Sequence, residues 1–68
     1  MKVKDLRPGD WIEFSTSKFS KRLLVKSIDT ACELIHCETP GGRPEVISFT
    51  FLETVVAING KDARRLSP

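Results

Sequence analysis

The chain has 68 residues and a mass of 7.6 kDa, which is enough for one small domain at most. It is 40% apolar and 29% charged, a balance that excludes wholesale disorder, and no apolar run approaches the ~20 residues that a membrane span needs. A domain of this size has a net stability of about 3–5 kcal/mol, which leaves little reserve for a strained catalytic cleft. We therefore expect a binding module or an oligomer subunit rather than an enzyme.

The N-terminal segment and the two cysteines bear on the compartment. Residues 1–5 are basic, but no apolar stretch follows them, so the sequence predicts no secretory signal. Two cysteines without an export signal favour a reducing cytoplasm. We expect a cytoplasmic protein without a membrane partner.

Turn-forming residues divide the chain into five short segments rich in Val, Ile and Phe, a pattern typical of a small β-barrel. The predicted strands are residues 10–15, 22–28, 32–39, 45–51 and 55–58. Between them we expect an open polar loop at 15–21, a hairpin loop at 39–44 and a 3₁₀ turn at 51–54. Beyond them, residues 61–66 form either a helical turn or a frayed tail.

Alternation along these segments predicts which side chains face the core. Ile12 and Phe14 share one face of the first strand, so Trp11 and Glu13 lie on the other. In the second strand Leu23 and Val25 point inward, and Ile28 joins them only if a bulge shifts the phase. The remaining in-phase positions are Ile35 and Cys37, then Ile47, Phe49 and Phe51.

Four spaced motifs run through most of the chain: Gly9-Asp10-x-Ile12-x-Phe14, Leu23-x-Val25-x-x-Ile28, Ile35-x-Cys37 and Ile47-x-x-x-x-Leu52-x-x-Val55. This spacing resembles that of the SH3-type small barrels, in particular the YodC-like family of small bacterial proteins. The sequence departs from the family at Ser15-Thr16-Ser17-Lys18, where a glycine-rich loop is usual, and at Thr39, where an aromatic residue is usual. The resemblance implies a fold and no function: an all-β, five-stranded SH3-like barrel over residues 1–58, with a short C-terminal tail over 59–68.

The charges are segregated along the chain, although the net charge is only +2. Residues 15–28 hold four cations and no acid, and an aromatic side chain lies among them: Lys18, Phe19, Lys21, Arg22 and Lys26. Cations interleaved with an aromatic ring suit single-stranded nucleic acid, because the cations contact phosphates while the ring stacks on a base. Trp11, outward on the first strand, is a second stacking candidate. Purely structural roles are the alternative to binding for these residues. In that case the cations form a solvated surface, Phe19 caps the barrel and Trp11 packs against Leu66.

No motif supports metal or covalent chemistry. Cys32, His36 and Cys37 lie on one predicted strand with Cys37 on the opposite face, a spacing unsuited to zinc. His36 is the only histidine, and the chain has neither a nucleophile elbow nor a phosphate-binding glycine motif. We expect no cofactor, no metal and no catalytic residue.

Two functions therefore stand as hypotheses. The first is a non-enzymatic module that binds nucleic acid through the basic loop of residues 15–28. The alternative is a protein–protein interaction module or homo-oligomer, such as an accessory or phage-type regulator, that uses Trp11, a sheet edge, or Phe49 and Phe51. A third, an inter-subunit pocket for a small anion with the loop at 18–22 as its lid, has less support.

Overall fold

The computed structural model describes residues 6–15 and 20–62. In these two ranges the chain forms one antiparallel sheet of six strands in the order β4-β3-β2-β1-β5-β6. The elements are β1 Trp11–Ser15, β2 Ser20–Asp29, β3 Leu34–Glu38, β4 Pro44–Ser48, a 3₁₀ helix Phe49–Thr54, β5 Val55–Ile58 and β6 Lys61–Asp62. The predicted all-β class is confirmed. Among the described residues no ladder joins β4 to β6, so the sheet is open between these two edges.

The core lies on one face of the sheet, under the 3₁₀ helix. Ile12 and Phe14 are almost completely buried, as their alternation with Trp11 and Glu13 predicted. Each of the first five strands contributes at least one side chain to the core, and the 3₁₀ helix adds two. The buried cluster is Leu6, Ile12, Phe14, Leu23, Val25, Ile35, Cys37, Ile47, Phe49, Leu52, Val55 and Ile58.

A β-bulge in β2 returns the strand to phase with the core. Val25 pairs with Cys37 and Ser27 pairs with His36, so Lys26 is the extra residue between them. The shift lets Ile28 pack against the core cluster. The sequence allows Ile28 to reach the core only through a bulge or a strong bend, and the structure has the bulge.

The fourth strand is shorter than predicted. It ends at Ser48, and the 3₁₀ helix begins at Phe49. In a 3₁₀ helix side chains three apart share a face, so Phe49 and Leu52 are both buried while Phe51 points away from them. The predicted alternation of Ile47, Phe49 and Phe51 on one strand is therefore wrong at Phe51. The 3₁₀ turn predicted at 51–54 is confirmed within this longer helix.

Two further expectations are corrected at the ends of strands. Cys32 lies in the turn before β3, where its N–H donates to Asp29 Oδ1 at 3.1 Å, so it does not share a strand with His36. Lys61 and Asp62 pair with β5 as β6 instead of starting a helical turn. The preceding turn, with φ of 54° at Asn59 and 79° at Gly60, is the left-handed geometry that closes a two-residue hairpin. No helix in the described ranges is long and apolar enough to cross a membrane.

Candidate functional site

An apolar groove opens on the core face of the sheet, at the end where β1 and β2 approach β4. Its volume is about 320 Å³. The lining is largely apolar, with one ion pair at the rim. We call it the Phe51 groove, and its lining residues are Phe14, Lys21, Leu23, Glu45, Val46, Ile47 and Phe51.

Phe51 forms one wall of this groove. Its ring meets the buried ring of Phe14 edge to face, with centroids 5.5 Å apart and planes at 81°. This geometry is the favourable one for two aromatic quadrupoles. Phe51 nevertheless remains 52% exposed. The groove thus presents aromatic and aliphatic surface to solvent, and buried core residues such as Phe14 and Leu23 form its base.

The ion pair at the rim joins Lys21 to Glu45. The Nζ atom of Lys21 lies 2.6 Å from Glu45 Oε2 and donates a hydrogen bond to Oε1 at 2.7 Å. Lys21 lies on the same side of β2 as Leu23, and Glu45 lies on the same side of β4 as Ile47, so the pair spans the groove. Because each charge is balanced by the other, the rim carries little net charge.

Arg22 lies on the opposite face of the sheet. Its guanidinium carbon is 4.8 Å from the centre of the Trp11 ring, a cation–π arrangement. Arg22 also pairs directly across the strands with Glu13. The outer face of β1 and β2 therefore presents an indole, a guanidinium and a carboxylate together.

The residues predicted to form one basic surface are thus distributed over both faces. Lys21 faces the core side and binds Glu45, Arg22 lies over Trp11, and Lys26 is exposed at the β2 bulge. Lys18 and Phe19 lie outside the described residues. Trp11 is half-buried on the outer face, in agreement with the alternation of β1.

A set of hydrogen bonds that we call the clasp joins two turns at the other end of β1. Asn59 accepts a hydrogen bond from Trp11 N–H at its Oδ1 (2.9 Å), and its own N–H donates to the Trp11 carbonyl (2.7 Å). The Nδ2 atom of Asn59 donates to Asp10 Oδ1 (3.1 Å), and Asp10 Oδ2 accepts from Arg7 N–H (2.9 Å). The clasp therefore ties the turn before β1 to the turn after β5, and its polar groups bind one another.

The two cysteines have no disulfide partner, and the pKa of each thiol is raised. Burial raises the pKa of Cys37 to about 11, with a smaller contribution from the charge of Glu45. The pKa of the exposed Cys32 is raised by its hydrogen bond to the Asp29 carboxylate, and the pKa of Asp29 is lowered mainly by the Cys32 backbone N–H. In residues 6–15 and 20–62 no three His, Cys, Asp or Glu side chains cluster closely enough to hold a metal ion.

Val46 and Glu45 were not among the residues predicted for a site. Phe49 and Phe51 were predicted as a contact patch, and the structure exposes Phe51 but buries Phe49. A signal for Phe51 was present, since the three-residue spacing of Phe49 and Leu52 is the period of a 3₁₀ helix. No comparable signal identified Glu45, because its partner Lys21 is 24 positions away in the sequence.

Comparisons with known proteins assign this chain to no family. A scan against protein-family models finds no match, and searches of curated proteins and of solved structures find none.

Proposed function

We propose that this protein is a non-enzymatic interaction module that holds an apolar side chain of a protein partner in the Phe51 groove. The observation that carries the proposal is the half-exposed Phe51 ring beside a preformed apolar cavity. Phe51 is one of three large apolar side chains that are exposed among the described residues, and it lines this groove. An exposed aromatic ring beside an apolar cavity is a typical side-chain binding site.

The rim of the groove defines the chemistry of the partner. Lys21 and Glu45 neutralise each other, so the groove does not require a charged ligand. A Leu, Ile, Met or Phe side chain fits both the size and the apolar lining of such a site.

We further propose that the sheet belongs to an SH3-like barrel, as the resemblance to the YodC-like family implies. Two features support this proposal: the strand order β4-β3-β2-β1-β5 and a 3₁₀ helix between the fourth and fifth strands. Fold alone does not select a function for such barrels.

Site-specific photo-crosslinking tests the interaction function. Benzoyl-phenylalanine replaces Phe51 in one version of the full chain and Val56 in a second. Val56 is a suitable control because it is 41% exposed on β5 but does not line the groove. We expect irradiation of cells to yield a discrete protein adduct from position 51 and none from position 56. Equal adducts from both positions, or none from position 51, would refute the proposal.

Nucleic-acid binding is a second candidate, favoured by one observation on the outer face. The Arg22 guanidinium lies over the Trp11 ring, and a guanidinium–indole pair is a surface on which a base can stack. Lys26 is exposed on the neighbouring bulge and supplies a phosphate contact in this scheme.

The single tryptophan makes this candidate simple to test. Titration with a single-stranded oligonucleotide should quench the Trp11 fluorescence, and Arg22→Gln should weaken binding because it removes the stacking surface. Lys26→Gln should reduce the salt slope by about 0.7, because it removes one phosphate contact. Arg43→Gln, in the exposed hairpin loop, is the matched control. An unchanged Trp11 signal at low salt would remove nucleic acid as a ligand.

A further inference from the structure

β4 is one edge of the sheet, and half of its backbone groups point away from β3. The N–H of Thr39 donates to Arg43 O at 2.8 Å, and the N–H of Phe49 donates to Glu33 O at 3.0 Å. Hydrogen-bonded pairs alternate along an antiparallel ladder, so the odd-numbered residues of β4 bond to β3. The N–H and C=O groups of Val46 and Ser48 therefore point outward.

Pro44 agrees with this assignment. It is the first residue of β4 and occupies an outward-pointing position, where its missing N–H costs no bond to β3. Among residues 6–15 and 20–62, no element pairs with β4 on its outer side.

The edge of β4 has a proline but no lysine to oppose pairing with another strand. Edge strands are commonly blocked by lysines, by prolines or by charges that point inward. Pro44 lies at one end of β4, so it leaves the outward backbone groups of Val46 and Ser48 able to pair. β4 has no lysine, and its one charged residue, Glu45, is neutralised by Lys21. Val46, at the centre of the strand, is 51% exposed.

We propose that a second copy of this chain pairs with β4, antiparallel about a two-fold axis at Val46. This inference rests on the proposed interaction function and adds a second contact surface, the edge of β4, beside the Phe51 groove. The strand is self-complementary in this register, as a two-fold interface requires. Val46 of each copy lies opposite Val46 of the other, and the two residues exchange both N–H···O bonds.

The flanking positions are compatible with the same register. Ser48 N–H of one copy donates to the Pro44 carbonyl of the other, and the missing N–H of Pro44 leaves one position unbonded at each end. Glu45 lies opposite Ile47 of the second copy, on the face where the groove opens. Because each Glu45 keeps Lys21 of its own chain, the pairing brings no unbalanced charges together.

Sedimentation velocity of the full-length chain over a range of concentrations tests this inference. We expect a concentration-dependent species of about twice the 7.6 kDa chain mass. Val46→Lys places a charge at the centre of the edge and should weaken the dimer at least about tenfold. Val56→Lys is the matched control, since it makes the same change at a comparably exposed valine outside β4, and it should leave the dimer unchanged. Circular dichroism of both variants verifies that the fold is retained.

The outcomes separate this inference from the function on which it rests. A wild-type chain that remains monomeric at millimolar concentration overturns the dimer. An equal response of the two lysine variants also overturns it. If the chain is monomeric but position 51 crosslinks to another protein, the interaction function stands with a different partner. If position 51 yields no adduct and the chain is monomeric, both proposals fail.

Discussion

The two ends of β1 differ in their surfaces: one consists of polar groups that are hydrogen-bonded to each other, and the other exposes an apolar groove. At the Trp11 end, the clasp pairs the polar atoms of Asp10 and Asn59 with each other and with backbone groups. At the Phe14 end, an ion pair bounds an apolar groove whose Phe51 wall is half exposed. The polar atoms of the clasp already have hydrogen-bond partners, whereas the Phe14 end leaves apolar surface in water at a cost of roughly 25 cal/mol per Å².

This difference separates a structural end from a binding end. The polar groups of the clasp already bind one another, so a ligand gains little by replacing those hydrogen bonds. Apolar surface in the groove is exposed to water, so binding of a partner that covers it is favourable. The stability effects of substitutions at the two ends, taken together, therefore test which end is structural and which end binds a partner.

The largest effect is expected at Leu52, which is fully buried next to the exposed Phe51 on the same 3₁₀ helix. Leu52→Ala removes core contacts and leaves a cavity, so it should lower the free energy of unfolding by about 2–5 kcal/mol. Urea denaturation followed by Trp11 fluorescence measures the change. A loss below about 1 kcal/mol would show that the 3₁₀ helix does not anchor the groove wall.

Cys37, which pairs with Glu45 beneath the groove, should make stability fall at alkaline pH. Its pKa is about 11 in the folded chain against an ordinary value of 9.0, so the unfolded state loses its proton first. The free energy of unfolding should therefore be undiminished below pH 9 and fall by roughly 2–3 kcal/mol as pH rises through 11. Cys37→Ala should remove this part of the slope. An identical pH profile in the alanine variant would contradict the assignment.

Asn59 tests the clasp through two substitutions. Asn59→Ala removes two side-chain hydrogen bonds and strains a residue with φ of 54°, so it should cost about 1–3 kcal/mol. Asn59→Gly removes the same bonds but accepts the positive φ, so it should cost less. Equal losses in thermal or urea unfolding would mean that backbone conformation contributes nothing at this turn.

The smallest effect on stability is expected at Phe51, where the proposed function predicts the largest effect on binding. Phe51→Ser loses an edge-to-face contact worth about 0.5–1.5 kcal/mol, and it loses less buried surface than Leu52→Ala because Phe51 is already 52% exposed. The variant should therefore stay folded at 37 °C. A loss as large as that of Leu52→Ala would identify Phe51 as a core residue and remove the distinction between the two ends of β1.

Much of the fold was predictable because alternation in a strand is a local property. The phase of Ile12 and Phe14 and the bulge before Ile28 follow from neighbours within a few positions. The prediction for Phe51 failed because Phe-x-Phe has the period of a strand, and only packing of Phe49 and Leu52 onto the core selects a 3₁₀ helix there. The function, the SH3-like closure and the YodC-like resemblance remain predictions.

The sequence by itself determined the all-β class and the phase of the first strand, because each depends on residues a few positions apart. Only the tertiary structure decided the site. Assembly of the sheet and the 3₁₀ helix brings Lys21 to Glu45, Phe14 to Phe51 and Asp10 to Asn59. The paired residues are 24, 37 and 49 positions apart in the sequence. No local pattern encodes such contacts, because they depend on the order and register in which the strands assemble.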